Sequence, residues 1–264
     1  MKKWTLDESK DLYLIDKWSE GYFHINQKGN VAVTPYRDAQ AVDLHNIVEA
    51  LSERGVKAPI LIRFDGIIKD RLKRIKKSFA EAIHLYQYQN HYRHVYPIKV
   101  NQQKHVVESI RDAGCQNQTG LEVGSKPELL AMLSIPSEDD TLVLCNGYKD
   151  REYIELALLS RKLGKRTIIV IEQLYECQLI LDIAQEMAVE AEVGFRIKPS
   201  VKGSGRWASS GGDFAKFGLN THEILAALEL LSTAGKKTWV KLIHFHIGSQ
   251  LTSILPFKKT LAEA

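Results

Sequence analysis

Lys99 stands inside the apolar run Tyr96-Pro97-Ile98-Lys99-Val100, just ahead of the polar, helix-forming stretch that starts at Asn101. An amine in apolar surroundings is costly unless it is paired, neutralised or used chemically. Poor solvation favours the neutral form, which can attack a carbonyl, so Lys99 is expected either to form an imine or to pair with a carboxylate such as Glu122. A second stretch, Leu242 to Gln250, reads LIHFHIGSQ and carries His244 and His246 at i and i+2, positions that share one face of a strand. A metal pair there would need further ligands. Gly248-Ser249, just past the expected strand end, offers backbone N–H groups and a hydroxyl suited to a phosphate.

The elements that position these groups follow from hydrophobic periodicity. Apolar, strand-like runs occur at 95–100, 119–123, 141–145, 167–171, 192–197 and 240–247, with helical segments between them. Ser125-Lys126-Pro127-Glu128 reads as a capping box, which by itself accounts for Glu128, and Gly114, Gly164 and Gly235 sit where helices should end. Markers near the run ends, Lys99, Glu122, Asn146, Ile171, Arg196 and His246, are separated by 23, 24, 25, 25 and 50 residues. A strand plus helix repeating at that length predicts βα units and a (β/α)8 barrel, with an open doubly wound sheet as the rival. The doubled step is accounted for by the Gly- and Ser-rich segment 199–218, whose Gly203 to Gly212 portion is read as a loop over the rim or a plain surface loop. In a barrel the C-terminal strand ends form one rim, where sites are built. Strands also stop at polar residues for no functional reason. Lys99, Arg196 and His246 taken together favour a site, because each is costly beside a core run without a partner. An amine nucleophile, a stacking imidazole and a Gly-Ser phosphate contact on one rim describe a pyridoxal phosphate site.

The first 65 residues differ. Alternation from Tyr22 to Asn26, the Lys28-Gly29-Asn30 turn and Val31 to Val33 predict a β-hairpin. A helix is expected over 39–55, followed by a strand at Pro59 to Phe64. The expected organisation is a β-rich segment, 1–65, then a barrel domain, 66–264. Of the 264 residues 44% are hydrophobic, and 36 basic against 32 acidic residues give a net charge of +4, which argues against a nucleic-acid surface. The basic cluster Lys69 to Lys77 alternates with Leu72 and Ile75 and reads as a solvated helix face. Cys115, Cys145 and Cys177 are too few and too scattered for a disulfide framework or zinc cluster, which fits a reducing cytoplasm. No apolar run approaches a membrane span, and the charged N-terminus is unlike a signal peptide.

The stretches YPIKVNQQ, GLEVGSKPEL, LCNGYKDREYIELAL, GSGRWASSGGDFAKFGL and HFHIGSQ together resemble the biosynthetic arginine decarboxylases, pyridoxal phosphate enzymes of the alanine-racemase-like class. The resemblance runs from about Trp4 to residue 254. It implies that Lys99 carries the cofactor as a Schiff base, that His246 stacks on its ring, and that Ser249 contacts its phosphate. It further implies that Glu122 orients that histidine, that Arg196 lies near the cofactor, and that L-arginine is decarboxylated to agmatine and CO2 in polyamine synthesis. Magnesium and a homo-oligomer with a site shared between subunits are implied in the same way.

Six strands are fewer than the eight that close such a barrel. The family's glycine-rich phosphate loop, its acidic partner of the pyridine nitrogen and its large C-terminal part are not found. The chain is therefore expected to be an N-terminal portion of such an enzyme, impaired on its own. An inactive cofactor-binding remnant, or a decarboxylase acting on ornithine, lysine or diaminopimelate, remains open on the sequence.

Overall fold

Uninterrupted apolar runs flanked by amphipathic stretches favour strands covered on both faces, and the six central runs adopt that form in a computed structural model. The structure describes residues 4–38, 40–113, 119–136, 140–199, 218–248 and 253–263. The chain divides into two compact units, Met1–Tyr92 and Arg93–Ala264.

In the first unit, helices α1 (Leu6–Tyr13) and α2 (Ile15–Trp18) precede a three-stranded antiparallel sheet of β1 (Phe23–Ile25), β2 (Val31–Val33) and β3 (Val42–Asp43). The predicted hairpin is present, with Ile25 opposite Val31. Asn26 holds its turn by accepting from the backbone N–H groups of Lys28 and Asn30, each at 3.0 Å. Asp43 caps α3 (Leu44–Glu53), accepting from the His45 N–H at 2.9 Å. The strand expected over Pro59 to Phe64 does not form. That segment is irregular, with Leu61 75% exposed, because no described strand lies beside it to accept its backbone groups. Helix α4 (Asp65–Leu85) carries the basic cluster, with Leu72 buried and Lys69, Lys73 and Lys77 exposed, as the solvated-face reading requires.

The second unit is built on β4 (His94–Pro97), β5 (Thr119–Val123), β6 (Leu142–Cys145), β7 (Arg166–Ile171), β8 (Glu192–Arg196) and β9 (Val240–His244), all parallel and ordered as in the sequence. A doubly wound sheet reverses its strand order at a switch point; this one does not, so the barrel-type α/β reading holds for six strands. Helices α5 (Lys104–Ala113), α6 (Lys126–Leu133), α7 (Arg151–Lys162), α8 (Leu174–Met187) and α9 (Thr221–Thr233) connect them, and α10 (Ile254–Glu263) follows β9. Ser125, Asp150 and Asn220 accept from the first-turn N–H groups of α6, α7 and α9. Gly164 and Gly235, at φ +84° and +70°, end α7 and α9 as expected. The core centres on β7, whose residues 167–171 are all buried, against Ile154, Leu158 and Ile180 of the flanking helices.

Ile169 has no exposed surface, whereas Ile243 on edge strand β9 is 58% exposed. Ile169→Ala should therefore lower unfolding free energy by about 2–5 kcal/mol. Ile243→Ala should lower it by less than about 1 kcal/mol. Urea denaturation midpoints measure both.

Candidate active site

The rim at the C-terminal strand ends begins with a corner at Pro97. Proline lacks the N–H that would extend the ladder, and β4 gives way to a 3-10 turn, Ile98–Val100. Ile98 turns into the core at 2% exposure, and Lys99 and Val100 turn outward. Lys99 is thus exposed on the rim, which corrects the expectation of an amine buried within a strand. His246 is likewise displaced from its expected place. β9 ends at His244, so only His244 lies on the strand, and His246 follows it as an exposed residue outside any strand.

Below these exposed groups lies a buried polar layer. Asn146, directly after β6, donates its N–H to Val123 O at 2.8 Å, and the buried Tyr153 hydroxyl reaches Val123 O and Asn146 O at 3.0 and 3.1 Å. Gly147 follows at φ +79°. A Cβ there would stand 2.2 Å from Gly124 O, so both its conformation and its proximity to the next strand end require glycine. Its N–H donates to Glu172 Oε1 at 3.0 Å, and the Arg196 guanidinium donates to the same oxygen at 2.8 Å. Lys149 and Glu176, both fully buried, form an ion pair at 3.2 Å. The Lys149 ammonium also donates to Gly147 O at 2.7 Å, and Glu176 accepts the Glu172 N–H at 2.7 Å.

The charges of the rim act on one another. Burial raises the Glu122 carboxyl, opposed in turn by Lys99, by an Asn146 hydrogen bond and by Arg196. Partial desolvation of the ring, then Arg196, then Lys99 lower His246, which disfavours its charged form. Burial and then Arg196 hold His244 at about 4. Lys99, Glu122, Arg196 and His246 therefore share one electrostatic neighbourhood. Ser249, Cys115 and the Gly203 to Gly212 loop lie outside the described residues, and Glu128 closes its helix start by accepting the Gly124 N–H at 2.6 Å. Among the described residues no cluster of three or more His, Cys, Asp or Glu side chains could hold a metal ion. No described helix is long and apolar enough to cross a membrane.

Residues 67–264 match the family described as pyridoxal-dependent decarboxylase, pyridoxal binding domain. The chain belongs to this family. Over 264 residues, all of this chain and 42% of the relative, it is 46% identical to a biosynthetic arginine decarboxylase of Bacteroides thetaiotaomicron. A protein of the same name from Thermosynechococcus vestitus is 47% identical over 262 residues, 99% of this chain and 41% of that one. The crystal structure of the biosynthetic arginine decarboxylase of Campylobacter jejuni superposes with a TM-score of 0.84 at 33% identity, covering 95% of this chain and 40% of its own. A diaminopimelate decarboxylase structure from M. jannaschii shares the fold, at TM-score 0.67 and 24% identity over 92% of this chain and 52% of its own. The chain thus spans about two fifths of the arginine decarboxylases it matches.

The rim of this pyridoxal binding domain suits the group the family takes. It presents an exposed primary amine at Lys99 and an exposed imidazole at His246, and among the described residues Asn146 Oδ1, Glu172 Oε2 and His244 Nδ1 are buried without a protein partner. Glu172, Lys149 and Glu176 do not stand out in the sequence; the acidic residue directly after the run that ends at Ile171 is the available signal.

Removing one partner of the Lys149–Glu176 pair strands a buried charge. Lys149→Met should cost about 3–5 kcal/mol in a denaturant titration. Adding Glu176→Gln, which keeps an acceptor for the Glu172 N–H, should recover part of it. His244 gives a pH signature. Below its ordinary value of 6.5 the unfolded chain takes up a proton that the folded chain refuses until about pH 4, so stability should fall as pH drops across that window. His244→Gln should flatten that part of the stability–pH curve.

Proposed function

We propose that this chain is the cofactor-binding portion of a pyridoxal phosphate-dependent arginine decarboxylase, which converts L-arginine to agmatine and CO2 as a step of polyamine biosynthesis. The observation that carries this reading is the Lys99 amine, turned onto a rim it shares with Glu122, Arg196 and His246. Arginine as substrate is supported by relatives of that name at 46–47% identity along essentially all of the chain.

In this reading Lys99 would hold the cofactor through its aldehyde, and the His246 imidazole would lie against its ring. Ser249 and the backbone beside it would take the phosphate. Glu122 would accept from His246 and fix its plane. Arg196, anchored by Glu172, keeps a cation beside the reacting centre without being free to swing into it. When bound, pyridoxal phosphate supplies an electron sink for the pair released as the Cα–carboxylate bond breaks. The protein orients that bond, excludes water and lowers the electrostatic cost of the carboxylate's lost charge. Residues 1–65 contribute to a split β-domain, and the complete protein acts in the cytoplasm as a homo-oligomer whose subunits share the site.

Borohydride reduction in the presence of pyridoxal phosphate, followed by peptide mass spectrometry, should place a pyridoxyl adduct on Lys99 and find none in Lys99→Ala. The full-length protein should release CO2 from carboxyl-labelled arginine in preference to ornithine or lysine. An adduct surviving in Lys99→Ala removes Lys99 from its role, and release from ornithine but not arginine overturns the substrate.

A further inference from the structure

We propose that Tyr96 is a positioning residue for Lys99: its hydroxyl closes the corner that carries the amine by donating to the backbone carbonyl of Asn101. The use made of the amine rests on the pyridoxal phosphate reading; the closed corner does not.

The Tyr96 hydroxyl lies 3.1 Å from Asn101 O, and the two residues bracket the turn. Tyr96 belongs to β4, where it sits opposite Leu121 in the parallel ladder, and its half-buried ring packs against the core. Pro97, the last residue of the strand, sits opposite Glu122. The chain enters the turn at Pro97 with φ −76° and ψ 111° and leaves it at Asn101 with φ −156° and ψ 105°. Both are extended, so the change of direction falls on Ile98–Val100. Within that turn Ile98 alone is buried, at 2% exposure, whereas Lys99 is exposed and Val100 is 70% exposed. Packing therefore fixes the turn at its first residue and leaves the amine and the residue after it without that support.

The far end of the turn is fixed by hydrogen bonds instead. Asn101 Oδ1 accepts the Gln103 N–H at 3.1 Å. Gln103 O in turn accepts the N–H groups of Val106 and Val107 at 2.9 and 3.1 Å, and both of those residues are buried in the first turns of α5. One end of the corner is thus held in the sheet and the other at the start of a helix, and the Tyr96–Asn101 hydrogen bond ties the two together. A lysine amine rides on a flexible four-carbon stem, so the position of its Cα sets the region the nitrogen can reach. Phenylalanine would pack the same ring but has no donor for the Asn101 carbonyl, which makes the hydroxyl the part of Tyr96 that serves the corner.

The test compares wild type with Tyr96→Phe in the full-length protein. The variant should unfold at nearly the same urea concentration, yet form the borohydride-trapped Lys99 adduct with pyridoxal phosphate about tenfold more slowly, part of the roughly hundredfold that a misplacement of about 1 Å can cost. Reductive methylation of Lys99 by formaldehyde and cyanoborohydride, followed in the same peptide by mass spectrometry, should run at equal rates in both, because so small an aldehyde has no bound pose to match. Equal rates with pyridoxal phosphate overturn the positioning role. An equal slowing with formaldehyde also overturns it, since the loss would then lie in the basicity or exposure of the amine. A wild-type crystal structure with the Tyr96 hydroxyl beyond hydrogen-bonding distance of Asn101 O overturns the inference even if Tyr96→Phe fails to fold. Wild-type protein that shows this hydrogen bond but yields no Lys99 adduct leaves the closed corner standing and defeats the cofactor reading instead.

Discussion

The rim depends on one ion pair with no access to water. Lys149 and Glu176 meet at 3.2 Å inside the protein, where each charge alone would carry a large desolvation penalty. Such a pair persists only if its remaining hydrogen-bonding capacity is also used, and here it is. The ammonium takes Gly147 O, and the carboxylate takes the N–H groups of Lys149 and Glu172. Every one of those partners belongs to the chain just past the end of β6 or β7. The pair therefore does little to hold helices together. It fixes where two strands stop and how the chain leaves them.

From that anchor the polar order spreads along the strand ends. Glu172, oriented by its own backbone bond to Glu176, gives one oxygen to Gly147 N–H and to Arg196 at the end of β8. Asn146, pinned on the other side of Gly147, reaches His244 at the end of β9, and the Tyr153 hydroxyl below it meets Val123 O at the end of β5. Five adjacent strands are joined in this way by side chains one layer below the surface. Gly147 is the hinge point of the arrangement, since any Cβ would collide with the Gly124 carbonyl.

The layer above has the opposite character. Lys99 and His246 are exposed and carry the chemistry proposed for them, while the buried layer supplies charge without mobility. Cations and carboxylates are interleaved across the rim, Lys99 and Arg196 with Glu122 and Glu172, and burial first, then Arg196, leaves both histidines harder to protonate than usual. An uncharged imidazole can lie flat on an aromatic ring without a cation's desolvation cost. This division, exposed groups above and a buried, hydrogen-bonded support below, is what a rim needs if it is to bind a group reproducibly.

Much of this was legible in the sequence because the signals were local. The apolar runs of β5 to β8 are long enough to be read as buried strands, Gly164 and Gly235 mark helix ends, and the spacing of 23 to 25 residues separates βα units from other repeats. Membership of the family could be read from stretches such as LCNGYKDREYIELAL and HFHIGSQ. Tertiary structure alone decided the exposure of Lys99, the end of β9 at His244 and the irregular course of Pro59 to Phe64, because a ladder extends only as far as a neighbouring strand can pair with it. It also decided that Lys149, Glu172 and Glu176 form one network. The 23-residue separation of Lys149 from Glu172 has no meaning along the chain, and the ion pair and the shared carboxylate form only when β6 and β7 lie side by side, whereas the Glu172–Glu176 contact is local to the start of α8.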